Sequence, residues 1–313
     1  MHPIDSRLRT LHLALGLLMT AALACTCLPS GAATPSVTPP PPSPTLPPPT
    51  AAPPTRAPTP LPTRSLPSAT PESVPGQIFG PQVSFNGVAF TLDPAVADSV
   101  YLQTPSNAWD VSGWTGFWFS PEGWCEAGCV DVYPADSFLE EIPAGADVIA
   151  ELQAALQRPA TSAFPTWGAG ILVQAQTELL DFASGRGIRS LVMLGQATYW
   201  VSNESLDYRF LGLTSDGQYL VDVRIPIRAP FLLDGSDPET NTNPEALPLP
   251  ELPSDPALRD QAVMGYNREA QSRLEGLDPA ALTPDLRLLD ALVASLQITD
   301  DYQRIPVPTV GPG

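Results

Sequence analysis

Apolar and polar residues alternate along much of residues 77–228 with a period of two, which predicts β-strands. The clearest case is 83–90, where two short alternating runs flank Asn86-Gly87, a dipeptide that favours a tight hairpin turn. Further strands are predicted at 100–103, 114–119, 130–133, 171–182, 188–197, 208–213 and 218–227. Turn residues join several consecutive runs, so the pattern indicates mainly antiparallel pairing.

Three later segments have helical spacing instead. Residues 147–157 place apolar side chains on one face before Pro159, and residues 256–276 repeat apolar positions every four residues. A third helix is predicted to begin at Thr283, as its N-cap, with Pro284 in the first turn. The pattern predicts an α+β fold, a mainly antiparallel sheet with about three amphipathic helices packed on one face.

The alternation is most regular in residues 217–228. Four residues share one side of this strand: Tyr219, Val221, Val223 and Ile225. Four others share the opposite side: Gln218, Leu220, Asp222 and Arg224. This strand therefore predicts a sheet with one face toward the core and one wet face.

The first 25 residues have the features of an export signal. Arg7 and Arg9 precede the uncharged apolar run Leu11–Ala24, which is shorter than the roughly 20 residues of a membrane-spanning helix. The run ends in Ala22-Leu23-Ala24-Cys25, which resembles the lipobox of bacterial lipoproteins. We expect a signal peptide over 1–25 and acylation of Cys25, by palmitate or a related chain, as a membrane anchor. The alternative is secretion after the same signal, with Cys25 unmodified.

Composition divides the rest of the chain. Residues 26–76 are rich in Pro, Thr and Ser, and are expected to form a disordered stalk with polyproline II character. Such a stalk would reach on the order of 140 Å when extended. Residues 77–305 are expected to form one globular domain, and residues 306–313 a loose tail. The expected location is the extracytoplasmic face of the bacterial membrane.

Charge and residue usage exclude several chemistries. His2 and His12 are the only histidines, both lie in the leader, and all 15 basic residues are arginine. A mature chain without histidine or lysine cannot use a Ser–His–Asp triad, a Schiff base, or a His-ligated zinc or haem site. We therefore expect no cofactor. The net charge of −18 argues against nucleic acid as a partner.

An aromatic segment carries the candidate ligand surface. Its four tryptophans are Trp109, Trp114, Trp118 and Trp124. In the predicted strand, Trp114 and Trp118 fall on one face, and Phe117 and Phe119 fall on the other. Aromatic rings form platforms for sugars or for apolar partners. Burial in the core is the favoured alternative for aromatic residues in an alternating strand.

Cys125 and Cys129 form a CxxxC pair. In an exported protein we expect them to form a local disulfide that stabilises a turn. A redox-active pair is the alternative, but it usually has CxxC spacing at a helix N-terminus. A zinc site is disfavoured, because two thiolates without an imidazole leave the coordination incomplete.

An acidic loop follows the last predicted strand. Its candidate calcium ligands are Asp234, Ser236, Asp237 and Glu245. An EF-hand needs glycine at the sixth position of the loop, where this chain has Glu239, and needs flanking helices that are not predicted here. A solvated acidic loop without metal is favoured. The stretch 229–256 is long for a structureless connection, which suggests a lid or disorder.

Four motifs resemble a domain that recurs in exported bacterial lipoproteins with proline- and threonine-rich stalks. They are NGVAFTLDP (86–94), DFASGRGIRSL (181–191), YRFLGLTSDGQYLVDVRIPI (208–227) and TPDLRLLDALVASL (283–296). The resemblance covers most of residues 77–300, and its motifs are turns, strand faces and a terminal helix. It implies a fold and an envelope location, but no activity and no catalytic residue. The family has a more polar, asparagine-rich stretch at 164–170, so a site there in relatives would be altered in this chain.

The sequence favours a non-enzymatic surface lipoprotein whose domain binds a wall glycan or an extracellular protein. One alternative is a carbohydrate-active hydrolase with paired carboxylates, drawn from Glu140-Glu141 or Asp131 beside the tryptophans. Another is a purely structural envelope protein. Two acids converging beside an exposed tryptophan in a cleft would favour the hydrolase, and a flat tryptophan surface without them would favour binding.

Overall fold

The structure, a computed structural model, describes residues 76–106, 110–121, 125–158 and 163–307. Its strands are β1 (Gln77–Phe79), β2 (Gln82–Phe85), β3 (Val88–Thr91), β4 (Ser99–Gln103), β5 (Thr115–Trp118), β6 (Cys129–Pro134), β7 (Gly170–Phe182), β8 (Gly185–Gly195), β9 (Asp207–Thr214), β10 (Tyr219–Pro226) and β11 (Gln297–Ile298). Its α-helices are α1 (Ala135–Glu141), α2 (Gly145–Leu156), α3 (Pro256–Glu275) and α4 (Leu286–Ser295). None of these helices has the length and apolarity needed to cross a membrane.

The strands predicted from the alternation and the three predicted helices are present, with shifts of a few residues at their ends. The hairpin turn at Asn86-Gly87 is confirmed, with φ of 50° and 74°, which is the left-handed region that this turn needs. The N-cap of α4 is Asp285 and not Thr283. The Asp285 side chain accepts the amide N–H of Arg287, so the carboxylate takes the capping role that was assigned to the hydroxyl.

Eight strands form one antiparallel sheet in the order β1-β4-β5-β6-β10-β9-β8-β7. The chain leaves the middle of this sheet at β6, passes through α1 and α2, and re-enters at the far edge as β7. It then returns strand by strand until β10 pairs with β6. The crossover lays α1 and α2 across one face of the sheet, and this placement determines where the candidate site lies.

The two faces of the sheet differ. The face that carries Val221, Val223 and Ile225, called here the core face, is covered by α3, by α4 and by a small sheet of β11, β3 and β2. The opposite face, called here the cavity face, carries Leu220, Asp222 and Arg224. Helices α1 and α2 cover only part of it, with Phe138 and Leu152 among the side chains that pack there.

The prediction of about three helices packed on one face is wrong. The described residues contain four α-helices, which lie on both faces, and the eight-stranded sheet dominates the fold. Helix α1 has seven residues and no side-chain cap, so it lacked a start signal. A helical period shows which side of a helix is apolar, but not which face of a sheet that side meets. The predicted wet face is also wrong at its centre, because Leu220 and Asp222 are buried.

Candidate functional site: an aromatic cavity over paired aspartates

A cavity of about 490 Å³ opens on the cavity face beside α1. Its floor comes from neighbouring strands, with Trp118 from β5, Asp131 from β6 and Asp222 from β10. The aromatic rings that line it are Trp114, Trp118, Tyr133, Phe138 and Trp167. The volume lies within the range of pockets for small ligands.

The aromatic rings form a connected wall. Trp114 stacks on Tyr133 with ring centroids 6.3 Å apart and an angle of 17° between the planes. Trp114 also lies 6.3 Å from Trp118. On the other side, Phe138 of α1 meets Trp167 edge to face at 5.5 Å. The wall therefore joins the strands, the crossover helix and residue 167, which lies in the 164–170 stretch noted in the sequence.

Strand register places the two aspartates side by side. Asp131 on β6 is paired with Gly116 on β5 and with Asp222 on β10. A Cβ at position 116 would lie 2.6 Å from Cζ2 of Trp114 and 2.8 Å from Oδ1 of Asp131. Glycine at this position is what allows the indole ring and the carboxylate to lie over the β5 backbone.

Asp131 is a buried carboxyl group, 6% exposed. Burial is the main cause that raises its pKa from 3.8 to about 7, and the charge of Asp222 adds to the rise. The indole N–H groups of Trp114 and Trp118, and the charge of Arg209, oppose it. The two indoles lie near enough to the carboxyl to lower its pKa, yet neither forms a hydrogen bond of normal geometry.

Asp222 differs from Asp131 because it has a cationic partner. Nη2 of Arg209 lies 3.1 Å from each oxygen of the Asp222 carboxylate, and both side chains are buried. Burial raises the pKa of Asp222, and Arg209 opposes that rise. Nearby, Nε of Arg224 donates to Asp207 at 3.1 Å. The cavity floor therefore carries nearly balanced charge.

Unpartnered polar atoms concentrate in this cavity. The described part of the chain has five buried side-chain nitrogen or oxygen atoms without a protein hydrogen-bond partner. They are Trp114 Nε1, Trp118 Nε1, Asp131 Oδ1, Arg209 Nε and Tyr266 Oη. All but Tyr266 belong to residues that line the cavity. Each such atom costs roughly 1–3 kcal/mol unless a ligand or water satisfies it. Four of them on one small surface indicate a site shaped for a polar guest.

The Cys125–Cys129 disulfide lies at the same cavity. Oδ2 of Asp131 is 3.5 Å from Sγ of Cys129 and 3.8 Å from Sγ of Cys125. Within the described ranges, Cys125, Cys129 and Asp131 are the only three Cys, His, Asp or Glu residues whose possible ligand atoms lie within 4.8 Å of one another. The disulfide removes both thiolates, so in this state the group offers a metal only a carboxylate.

The structure brings together part of the predicted ligand surface. Trp114 and Trp118 line the cavity, and Phe117 lies on the core face, so the predicted division of the aromatic residues between two faces is confirmed for these three. Trp109 and Trp124 lie outside the described residues, as does Cys25.

The predicted acidic pair at Glu140-Glu141 is not in the cavity lining. Glu141 instead accepts the amide N–H of Ser112 at 2.9 Å. Sequence reasoning named Asp131 but missed Asp222 and Arg209 as site residues, because Asp222 was assigned to the wet face. A signal was available, since two mostly apolar strands joined by a tight turn each carry two ionisable residues. These are Asp207 and Arg209 on β9, and Asp222 and Arg224 on β10.

The acidic loop is an ordered part of the domain. Asp234 accepts hydrogen bonds from Thr242 and pairs with Arg228 at 3.1 Å. Asp237 accepts the amide N–H of Glu239 and so caps a short 3-10 turn. The carboxylates of Asp234, Asp237 and Glu245 do not form a group of three ligand atoms within 4.8 Å.

The connection 229–256 is also held by hydrogen bonds at Ser236 and Glu245 and by two buried leucines. The Ser236 side chain and amide donate to Glu204, and the amide of Glu245 donates to the Asn243 side chain. Leu232 and Leu247 are buried in the main core. The stretch 229–256 is therefore packed against the domain along part of its length.

No protein-family model matches the chain, and no curated protein or solved structure matches it either. The geometry of the cavity is thus the basis for a functional proposal.

Proposed function

We propose that this protein is a non-enzymatic, lipid-anchored surface lipoprotein whose cavity binds a sugar unit of a wall glycan or another extracellular glycan. The observation that carries the proposal is the convergence of four unpartnered buried polar atoms on one aromatic-walled cavity. A pyranose ring has apolar faces that contact aromatic rings, and hydroxyl groups that both donate and accept hydrogen bonds.

The polar atoms of the cavity suit hydroxyl groups. Nε1 of Trp114 and Nε1 of Trp118 are donors only, and so is Nε of Arg209. Oδ1 of Asp131 is an acceptor when the carboxyl is ionised, and with a pKa of about 7 both the ionised and the protonated form are present at neutral pH. A hydroxyl group can meet either kind of partner, whereas an acceptor-only ligand would leave the ionised carboxylate unpaired.

Charge favours a neutral ligand. Arg209 is paired with Asp222, and Arg224 with Asp207, so little positive charge is left for an anionic sugar. The net charge of −18 over the chain also repels anions. We therefore expect neutral sugars to bind better than acidic ones.

Binding is tested by thermal unfolding of the full chain in detergent with neutral and acidic glycans and peptidoglycan fragments. A ligand at 100 times its Kd stabilises the folded state by about 2.7 kcal/mol. We expect a raised midpoint with a neutral glycan, which is lost in Trp118→Ala and Asp131→Asn. Trp200→Phe is one control, because it changes a buried tryptophan outside the cavity. Tyr266→Phe is the other, because it removes the unpartnered polar atom that does not belong to the cavity lining. No shift with any glycan, or equal loss in the controls, would contradict the proposal.

Membrane anchoring through Cys25 is part of the proposal and is tested separately. The lipobox-like residues and the proline-rich stretch support it. We expect the full chain to partition into the detergent phase when expressed in a bacterial host, and Cys25→Ser to remain in the aqueous phase. Equal partitioning of the two proteins would refute the anchor.

Glycoside hydrolysis is a second candidate, favoured by one observation. Asp131 and Asp222 occupy opposite positions on adjacent strands beside Trp118, and the pKa of about 7 suits Asp131 as a general acid. Against this role, both oxygens of Asp222 are held by Arg209, which leaves that carboxylate poorly placed as a nucleophile or base. Turnover of chromogenic glycosides that disappears in both Asp131→Asn and Asp222→Asn would replace the binding proposal.

A further inference from the structure

The two sulfur atoms of the Cys125–Cys129 disulfide are not equivalent. Cys125 is partly exposed, whereas Cys129 is 2% exposed and belongs to β6. A thiolate that attacks a disulfide needs access to one sulfur and expels the other. Both cysteines line the cavity, and the more exposed Cys125 is the expected point of attack, with the buried Cys129 as the leaving group.

A buried thiolate is costly to release without a proton, because burial in apolar surroundings disfavours its charge. Asp131 is placed to supply that proton, with Oδ2 3.5 Å from Sγ of Cys129. Its pKa of about 7 means that a substantial fraction of the carboxyl is protonated at neutral pH. The ionisable groups that face it are Asp222, Arg209 and Tyr133.

The backbone at Cys125 supports a functional loop. Its φ of 59° lies in the left-handed region, which residues other than glycine adopt at a cost. Gly128, with φ of 113°, completes the short loop that the disulfide closes. Such costly conformations concentrate at functional sites.

We propose that Cys125–Cys129 is a redox-active disulfide that exchanges with an external dithiol, with Asp131 as the proton donor to the leaving sulfur. The attacking thiolate forms a bond to Sγ of Cys125, the bond between the two cysteine sulfurs breaks, and Sγ of Cys129 takes the proton of Asp131. The second thiol of the reductant then displaces Cys125 from the mixed disulfide and passes its proton to Sγ of Cys125, and Asp131 regains a proton from solvent. The dithiol is oxidised to a disulfide, and the protein is reduced to two thiols. This activity does not require glycan binding, although both use Asp131 and the same cavity.

The test measures reduction of the full chain by dithiothreitol at pH 7. Differential alkylation and peptide mass spectrometry read Cys125 and Cys129 separately from Cys25 and Cys27. We expect reduction of the folded wild-type protein, and at least about tenfold slower reduction in Asp131→Asn, since positioned proton donors contribute factors of this size or more. Asp207→Asn is the matched control, because it removes a partly buried carboxylate on the cavity face that contacts Arg224 and not the sulfurs.

A second measurement does not depend on the fold of the Asp131 variant. Wild-type protein treated with glutathione and quenched by rapid alkylation should carry the mixed disulfide on Cys125. With oxidised glutathione, the Cys129→Ser variant should form the same mixed disulfide through its free Cys125 thiol and release reduced glutathione. Cys125→Ser should resist it, because its remaining thiol, Cys129, is buried. A mixed disulfide on Cys129, resistance of the folded wild-type disulfide to reduction, or equal rates in Asp131→Asn and Asp207→Asn would overturn the proposal.

Discussion

Two buried arginines, one on each face of the eight-stranded sheet, are used in opposite ways. Arg189 on β8 faces the core side, where it donates to Asp290 of α4, to Glu178 of β7 and to the Gln176 carbonyl. Arg209 on β9 faces the cavity, where Nη2 holds Asp222 and Nε has no protein partner. All three guanidinium nitrogens of Arg189 donate hydrogen bonds, and through Asp290 they join helix α4 to the sheet. Nε of Arg209, in contrast, remains available to donate to a ligand.

This difference extends to the two faces. On the core face, helix α4 brings Asp290 to Arg189, and Tyr208 adds a hydrogen bond to the same carboxylate at 3.1 Å. On the cavity face, Nε1 of Trp118 and Oδ1 of Asp131 have no protein hydrogen-bond partner. Buried polar groups that the fold satisfies stabilise it, and those that it leaves open are candidates for recognition.

Arg189→Met should have the largest effect, a loss of about 4–5 kcal/mol of unfolding free energy, because it leaves Asp290 half-buried without its cation. Chemical denaturation of the full chain measures this loss. Arg186→Met is the control, since Arg186 pairs with Asp181 at an exposed position and should change stability little. Equal effects of the two substitutions would mean that Arg189 does not fasten α4.

Arg209→Met should cost about 3 kcal/mol of unfolding free energy, because Asp222 then loses the cation that donates to both of its oxygens. The double variant Arg209→Met/Asp222→Leu should recover most of this loss, since it removes both buried charges. It would convert the centre of the cavity face into an apolar surface like the core face. Denaturation of the two variants measures the recovery, and glycan binding should be lost in both. Unchanged glycan binding in the double variant would contradict the proposed site.

Asp131→Asn should remove part of the pH dependence of the unfolding free energy. Below pH 3.8 both states of the wild-type protein are protonated at Asp131; between 3.8 and about 7 the folded state keeps a proton that the unfolded state has lost. Stability therefore falls as pH rises through this window, and the loss is complete above the folded pKa. Between pH 5 and pH 8 we expect Asp131 to lower the unfolding free energy of the wild-type protein by about 2–3 kcal/mol. Denaturation at the two pH values should show a smaller difference in Asp131→Asn by that amount; an unchanged difference would contradict the raised pKa.

Asp234→Ala should have the smallest effect on stability, because its ion pair and hydrogen bonds lie at the surface, where solvent screens them. We also expect calcium to leave the unfolding midpoint of the wild-type chain unchanged. Thermal unfolding with calcium and with a chelator checks this. A calcium-dependent rise that Asp234→Ala removes would show that the acidic loop, and not the cavity alone, is a ligand site.

Local sequence signals predicted most individual elements. The Asn86-Gly87 turn, the alternation at 218–227 and the helical spacing at 256–276 each correspond to an observed element, because each depends on residues close in sequence. The sequence did not predict helix α1 or strands β1 and β11, because all three are short. The two strands also depend on pairing with strands that are distant in the sequence. The assignment of Trp118 and Phe117 to opposite faces was also accessible, because side chains alternate along any strand.

The sequence by itself determined the absence of lysine, the acidic charge, most strand and turn positions, and the aromatic segment that contributes Trp114 and Trp118 to the cavity wall. Tertiary structure decided that Asp131 lies opposite Asp222. It also decided that Arg209 pairs with Asp222 and that the disulfide lies against Asp131. The crossover from β6 to β7 decided which face is covered and how far. Alternation assigns a residue to a side of its strand. Whether that side is wet, buried or open to a ligand depends on chain segments that are remote in sequence.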